Sequence, residues 1–397
     1  MSSSSMPRNP DQFKDRQALI SNMRNNASFA HLFTSTPRQD ELYAIENFIG
    51  SIQMPVGVAG PISFKLKRIL ETEQDPPERV LQDVLFPLAT TEAALVASVN
   101  RGLKLLSTDA PSVLVEQKGI TRAPVLTCQT ALQASELKQW LFDHFTEIKM
   151  SAQTTSSHLT LTNLQAWIVG RRVYTRFSAD PSEAMGMNMI SIALDHAIKE
   201  IVMPVWGDRV EFSALSSNLC TDKKPNTVNT LLGRGWWAQA ECILSAKEVE
   251  RILHLPVAQL VSIHHQKNLV GSALAGSTAQ NAHVANVAAA LFLATGQDPA
   301  HVVEAAQSFT TMELIDGKLY ASVTIPSLQL GTVGGGTKML YAKDAIALCG
   351  VSSTEELAGV ISIGALAGEL SLLGSLGERT LASAHASLRA SNTQQEL

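Results

Sequence analysis

The stretch "GVISIGALAGELSLLGSLG", residues 359–377, decides the fold, because it either crosses a membrane or sits inside a core. It and "AHVANVAAALFLATG", residues 282–296, are the most apolar stretches of the chain. The second is too short to span a bilayer, and the first carries Glu369 and several glycines, so both read as buried helices. A protein built around such helices is expected to be soluble, cytoplasmic and without a membrane segment. The polar start "MSSSSMPRNPDQFKDRQ" also lacks the apolar core of a signal peptide.

At 397 residues the chain is long enough for two or three domains. Apolar residues make up 45% and charged ones 17% of it, a globular balance rather than a disordered one. A formal charge of −5 argues against a general nucleic-acid or membrane-surface binder, which needs a basic excess. Any anionic ligand must therefore be held by locally placed bases. Cys128, Cys220, Cys242 and Cys349 are scattered, with no Cys or His cluster at zinc-ligand spacing, so no metal site is expected.

Around these helices the chain is expected to alternate. Residues 1 to about 45 read as a polar tail and helical arm segments. "ENFIGSIQMPVGVAGPISFKL" ends in a strand-like run, and "TTEAALVASVNRGLKLL" has helical apolar spacing with Thr90 or Thr91 as N-cap. "VLVEQKGITRAPVLTCQTAL" reads as strand, turn and strand. Between 124 and 214, a helix "SELKQWLFDHFTEIKMSAQ", a hairpin turning at Gly170, a helix "SEAMGMNMISIALDHAIKEIVM" and a strand "RVEFSAL" suggest helices on one face of an antiparallel sheet. The rest reads as helix-rich, over 237–254, 275–295, 299–308 and from 354 on.

Several strings could carry chemistry. "NLCTDKKPNTVN", residues 218–229, sets Lys223 and Lys224 side by side, and two adjacent ammoniums imply an anion nearby. "GTVGGGT", residues 331–337, suits close approach of a ligand to main chain, although taken alone a tight turn between elements is the better reading. Met185, Met187 and Met189 alternate with Gly186 and Asn188 at an apparent helix start, as padding for a flat ring or as core filling. Glu92 is a lone acid in an apolar helix, a general acid if buried and an ordinary surface residue if not. Asp298 reads as the cap of a helix beginning near Pro299, and His385 as a surface histidine. No GxSxG elbow or Cys–His pairing for acyl hydrolysis is present.

"ENFIG", "PVGVAGPI", "ATTEAALVASVNRG", "GITRAPV", "EAMGMNMIS", "CTDKKP", "KNLVGSALAGS", "NAHVANV", "GQDPA", "GTVGGGT" and "LAGELSL" follow one another over about residues 45 to 390. Together they resemble the catalytic region of the class I 3-hydroxy-3-methylglutaryl-CoA (HMG-CoA) reductase family. That class often carries a membrane-anchoring N-terminal region, which this sequence is expected to lack. The resemblance implies reduction of the HMG-CoA thioester to mevalonate and coenzyme A by two hydrides from NADPH, with NADH possible. The alternatives are NAD-dependent oxidation of mevalonate, or a coenzyme A-binding homologue without turnover.

The resemblance also implies roles. Lys223 would stabilise the oxyanion, Glu92 donate a proton to the carbonyl oxygen, Asp298 bond to both, and His385 protonate the departing thiolate. Arg122, Ser216, Asp222, Lys224, Lys267 and Asn286 would surround the substrate's carboxylate end. Ser98, Asn100, Arg101 and Lys104 would meet the coenzyme A phosphates. Ser156, Glu183, Met185, Gly186, Met187, Asn188, Met189, Val333 and Gly334 would form the nicotinamide cofactor site.

The implied fold is α+β: a large helical substrate-binding domain around one long central helix, with an inserted small ferredoxin-like cofactor-binding domain. Its parts would be an arm over 1–59, a large domain over 60–121 and 226–397, a small domain over 124–214 and a connecting loop over 215–225. Active sites would be shared in a homodimer or homotetramer, with "ENFIG" at the dimer contact. Three departures from the family pattern stand out. Glu183 replaces the usual Asp, Ser156–Ser157 replaces Ser-Arg, and Arg389–Ala390–Ser391 replaces Asn-Arg-Ser. Arg171, Arg172 or Arg389 are the remaining bases for a 2′-phosphate.

Overall fold

The computed structural model describes residues 9–23, 36, 38–69 and 78–378. His385, Arg389, Ala390 and Ser391 therefore lie outside the described residues. The fold mixes helix and sheet around two large buried apolar clusters.

The larger cluster is organised by the helix Thr354–Glu378, which contains the stretch quoted first. It is the one helix among the described residues long and apolar enough to cross a membrane, and 94% of its most apolar window is buried inside the protein. A helix that is apolar all round needs protein on every side, and glycines let that protein come close. A Cβ on Gly359 would meet Phe64 and Leu66, one on Gly364 Phe86 and Val287, and one on Gly374 Leu253. The tightest approach is from the helix Leu95–Leu106, where a Cβ on Gly102 would lie 1.9 Å from the carbonyl oxygen of Ala367.

That helix packs on a six-stranded sheet, so this part of the molecule is not simply helical. Its strands are β1 (Val56–Arg68), β2 (Arg79–Ala89), β3 (Ser112–Arg122), β8 (Arg234–Leu244), β9 (Phe309–Ile315) and β10 (Lys318–Leu328), in the order β2-β1-β3-β8-β10-β9. β1 and β3 run parallel, and the other neighbours antiparallel. β8 corrects the expected helix over 237–254, of which only Ala246–Leu253 is helical. Burial alternates strictly along "RGWWAQAECIL", the period of a strand, but Arg234 occupies a buried position and breaks the apolar alternation. The helix expected over 275–295 is confined to Val284–Ala294.

The second cluster lies under a smaller antiparallel sheet made from β4 (Val125–Cys128), β5 (Thr160–Val169), β6 (Arg172–Asp180) and β7 (Val210–Ala214), ordered β7-β4-β6-β5. The intervening helices Ala131–Asp143, Phe145–Gln153 and Met187–Ala197 contribute to this core. Chain order and strand order together make a split β-α-β-β-α-β unit. The amphipathic stretch from Ser135 to Gln153 is two helices rather than one, broken at His144. β5 and β6 turn at Gly170 with φ +60°.

β3 belongs to both sheets. Residues 112–119 pair with β8 and Ile120–Arg122 with β6. Gly119, φ +75°, marks the passage, and a Cβ there would lie 2.5 Å from the carbonyl oxygen of Ala179. The chain leaves for the smaller sheet at Ala123 and returns beside it, where Ser217 N–H donates to the Ala123 carbonyl at 2.7 Å.

Candidate active site

After β7 the returning chain forms the lysine loop. Asn218, Thr221 and Lys223 all have left-handed backbones, with φ of 65°, 58° and 58°. Non-glycine residues hold that conformation only where surrounding bonds impose it. Thr121 Oγ1 donates to the Cys220 carbonyl, Arg176 to the Leu219 carbonyl, and the Lys223 N–H to Glu304 Oε1 at 2.6 Å. Asn226 then caps the helix Thr227–Leu232 by accepting from Asn229 N–H.

So held, Lys223 places its Nζ 2.7 Å from Asp298 Oδ2. Asp298 has the capping role its position suggests, since Oδ1 accepts from Ala300 N–H at 3.0 Å. Burial works to raise its pKa, but hydrogen bonds from Lys223 and Ala300 outweigh it and hold the carboxyl below its usual range. Behind the pair lies a buried ionic group that no local pattern announced. Arg234, fully buried, donates to both oxygens of Glu304 at 2.9 Å, to Asp222 Oδ1 at 3.1 Å and to Thr121 Oγ1 at 2.9 Å. His301 Nδ1 lies 3.2 Å from Glu304 Oε1. Burial pushes Glu304 up, but the bonds from His301 and the Arg234 charge win, leaving its pKa lowered. Arg176 shares the site, and burial with the like charge of Arg234 brings its guanidinium down to about 10. Asp222, His301 and Glu304 converge within 4.8 Å of one another, with the Arg234 guanidinium supplying positive charge between two of them.

Lys223 and Asp298 open onto a cavity of about 760 Å³. Met185, Gly186, Met187, Asn188 and Met189 line one side, and Val333 and Gly334 another. The methionine string and the glycine loop are joined by a bridge between Ala184 and Val333. Glu183 lies behind this wall: its carbonyl accepts from Thr332 N–H, and its carboxylate from Thr354 N–H at 2.6 Å. Ser156 Oγ lies 3.6 Å from the Met189 sulfur. Added Cβ atoms at Gly334 or Gly335 would meet nothing within 4 Å, so this stretch of main chain faces open space.

Other anticipated residues fall elsewhere. Glu92 is exposed and precedes the helix, which starts at Leu95 after Ala94 takes φ +72°. Thr90 does not cap that helix; its Oγ1 accepts from Glu92 N–H, a local bond that competes with helix formation. Glu92 accepts from Asn286 Nδ2 at 3.3 Å and, among the described residues, bonds neither Lys223 nor Asp298. Lys267 is exposed on a π-helical turn, His265–Gly271. Glu369 organises this second group, as its buried carboxylate accepts from Ala282 and His283 N–H, both at 2.7 Å, and from Thr310 Oγ1. Within one chain, among the described residues, no bond joins the Glu92–Asn286 pair to the Lys223–Asp298 pair.

Ser216 pairs with the Cys220 thiol at 3.3 Å, Lys224 donates to the Asp222 carbonyl, and Arg122 keeps its buried Nε without a partner. Ser98 and Arg101 bond Ser371 and Asn100 accepts from Gly60 N–H, so all three hold the helix Leu95–Leu106 in place. Lys104 is exposed. Arg171 donates to the Cys128 carbonyl, and Arg172 is exposed at the hairpin.

A lysine paired with a carboxylate, beside a cavity walled by methionines and bare main chain, makes this a candidate active site. The sequence profile of the family described as hydroxymethylglutaryl-coenzyme A reductase matches residues 12–390. A 3-hydroxy-3-methylglutaryl-coenzyme A reductase from Haloferax volcanii is 44% identical over 87% of this chain and 84% of its own length. One from Pyrococcus horikoshii is 42% identical over 78% and 72%. The fold matches a class II enzyme of that name from Streptococcus pneumoniae bound to NADPH, with a TM-score of 0.66, 17% identity and coverage of 92% of this chain and 96% of that one. The chain belongs to the hydroxymethylglutaryl-coenzyme A reductase family.

Proposed function

We propose that the protein reduces HMG-CoA to mevalonate and free coenzyme A, a biosynthetic step of the mevalonate pathway, using two NADPH. The observation that carries this reading is the opening of the Lys223–Asp298 pair onto the cavity lined by the methionine string and the glycine loop. When bound there, the nicotinamide supplies hydride. Met185, Met187 and Met189 would pad its ring, and Val333 and Gly334 would let it approach main chain.

The protein's own groups handle charge and protons. Reduction of a carbonyl concentrates negative charge on its oxygen, and a fixed ammonium at Lys223 stabilises that charge by roughly 3 kcal/mol. Asp298 aims the ammonium while free, and Glu92 would deliver the proton to the oxygen. His385 would protonate the leaving thiolate, as imidazole titrates in the required range. Arg122, Lys224 and Lys267, with Ser216, Asp222 and Asn286, would hold the carboxylate end. Lys104, with Ser98, Asn100 and Arg101 near it, would face the coenzyme A phosphates.

Because no bond joins Glu92 and Asn286 to Lys223 within one chain, the reading places two copies side by side as a homodimer or homotetramer, each site drawing on both. It assigns 124–214 to a small ferredoxin-like cofactor-binding domain, 60–121 and 226–397 to the large substrate domain, 1–59 to an arm and 215–225 to the loop between. Ser156 and Glu183 would border the adenosine side, with Arg171, Arg172 or Arg389 as bases for a 2′-phosphate. The test is incubation with HMG-CoA and NADPH. Mevalonate should form with two NADPH consumed per thioester, whereas a hundredfold preference for NADH would favour the oxidative direction. Coenzyme A binding without turnover would leave a non-catalytic homologue.

A further inference from the structure

Glu304 is an ionised acceptor fixed by Arg234, so the His301 nitrogen facing it, Nδ1, must carry a proton to make their 3.2 Å contact. The other nitrogen, Nε2, is fully buried and has no hydrogen-bond partner. It faces two carboxylate oxygens just beyond bonding distance, Asp298 Oδ2 at 3.7 Å and Asp222 Oδ1 at 3.9 Å. In neutral imidazole that nitrogen is a lone pair opposed to lone pairs, and a buried polar atom without a partner is costly. Both carboxylates already have cations, Lys223 on Asp298 and Arg234 on Asp222.

We infer that His301 is a positioning residue that takes a second proton, at Nε2, and bonds Asp298 when Lys223 turns from that carboxylate to the substrate oxygen. The inference rests on the role proposed for Lys223. A lysine that moves to a new anion leaves Asp298 without its ammonium, and an unpaired, partly buried carboxylate would pull the lysine back. A proton reaching Nε2 through the cavity that His301 lines replaces the lost charge once the ring and Asp298 close their 3.7 Å gap by about half an ångström or more. The charged groups around the ring are Asp298 and Glu304 on its own turn, Asp222 and Lys223 from the loop, and Arg234 from β8, with Arg176 beyond.

The test has a readout independent of turnover. In protein carrying ¹⁵N-labelled histidine, with the His301 signal assigned by its loss in His301→Gln, the ring is titrated in wild type and in Lys223→Met. Removing the ammonium should raise the His301 midpoint; an unchanged or lowered midpoint overturns the inference. In steady-state assays His301→Ala should lower kcat about tenfold with KM for HMG-CoA within about twofold, as expected for one lost bond to a charged group. His301→Gln, which donates without titrating, should restore most of kcat while removing the His301 limb from the pH profile. Equal impairment of Ala and Gln variants, or of neither, overturns it as well. Absence of any HMG-CoA turnover would instead count against the reductase reading, and the titration would still report on His301.

Discussion

Lys223 meets Asp298 at 2.7 Å from a residue whose backbone is left-handed. The strain of that conformation is held by Glu304, which accepts the Lys223 N–H and is itself fixed by buried Arg234. One lysine thus depends on two carboxylates, one for its side chain and one for its main chain.

Lys223→Ala should reduce turnover about a thousandfold, the scale of losing a donor to a developing oxyanion. Coenzyme A binding, measured calorimetrically, should stay within a few-fold of wild type, because the residues assigned to its phosphates lie on the helix Leu95–Leu106. Near-normal turnover would remove the oxyanion role.

Glu304→Gln should destabilise the protein by roughly 3 kcal/mol, because Arg234 would keep a buried charge with one partner fewer. The pH dependence has a definite sign. Glu304 is lowered in the fold from an ordinary 4.5, so its contribution is complete above that value and fades as pH falls through the folded pKa. Urea unfolding between about pH 3 and pH 7 should show a shallower acid decline for the variant than for wild type.

Gly102→Ala tests the packing of the central helix. The new methyl would fall 1.9 Å from the Ala367 carbonyl oxygen, a main-chain atom that cannot rotate away. A loss of about 3 kcal/mol or more is expected in denaturant unfolding. A variant as stable as wild type would mean the two helices part easily.

Ser157→Arg addresses cofactor choice. An arginine here would add a charge-assisted contact to a 2′-phosphate. The ratio of kcat/KM for NADPH over NADH should rise about tenfold, with KM for HMG-CoA unaffected. No change in that ratio would place the 2′-phosphate elsewhere.

Much of the small sheet could be read locally, since its hairpin at Gly170 and its flanking helices each carry their own periodicity. β8 could not, because its buried face begins with Arg234, and only a carboxylate seventy positions later makes that burial tolerable. Lys223 advertised itself as one of two adjacent ammoniums, and Asp298 as a cap before proline. Glu304 and His301 left only a spacing of three on a short helical turn, a pattern too common to single out. Glu92 stood out as a lone acid in an apolar run, but its place on a turn was hidden by Ala94, whose left-handed backbone no propensity favours. Glu369 was noticed as an acid in an apolar run; that it fastens the turn before Asn286 depends on main-chain donors with no side-chain signature.

The bond between Ser217 and Ala123 gives the excursion through the smaller sheet a single doorway, with entrance and exit side by side. Such a segment can be replaced as a cassette without lengthening or shortening the chain around it. If the excursion carries the nicotinamide, an exchange that retunes the electron donor must retain Arg176, which reaches out of the excursion to steady the lysine loop.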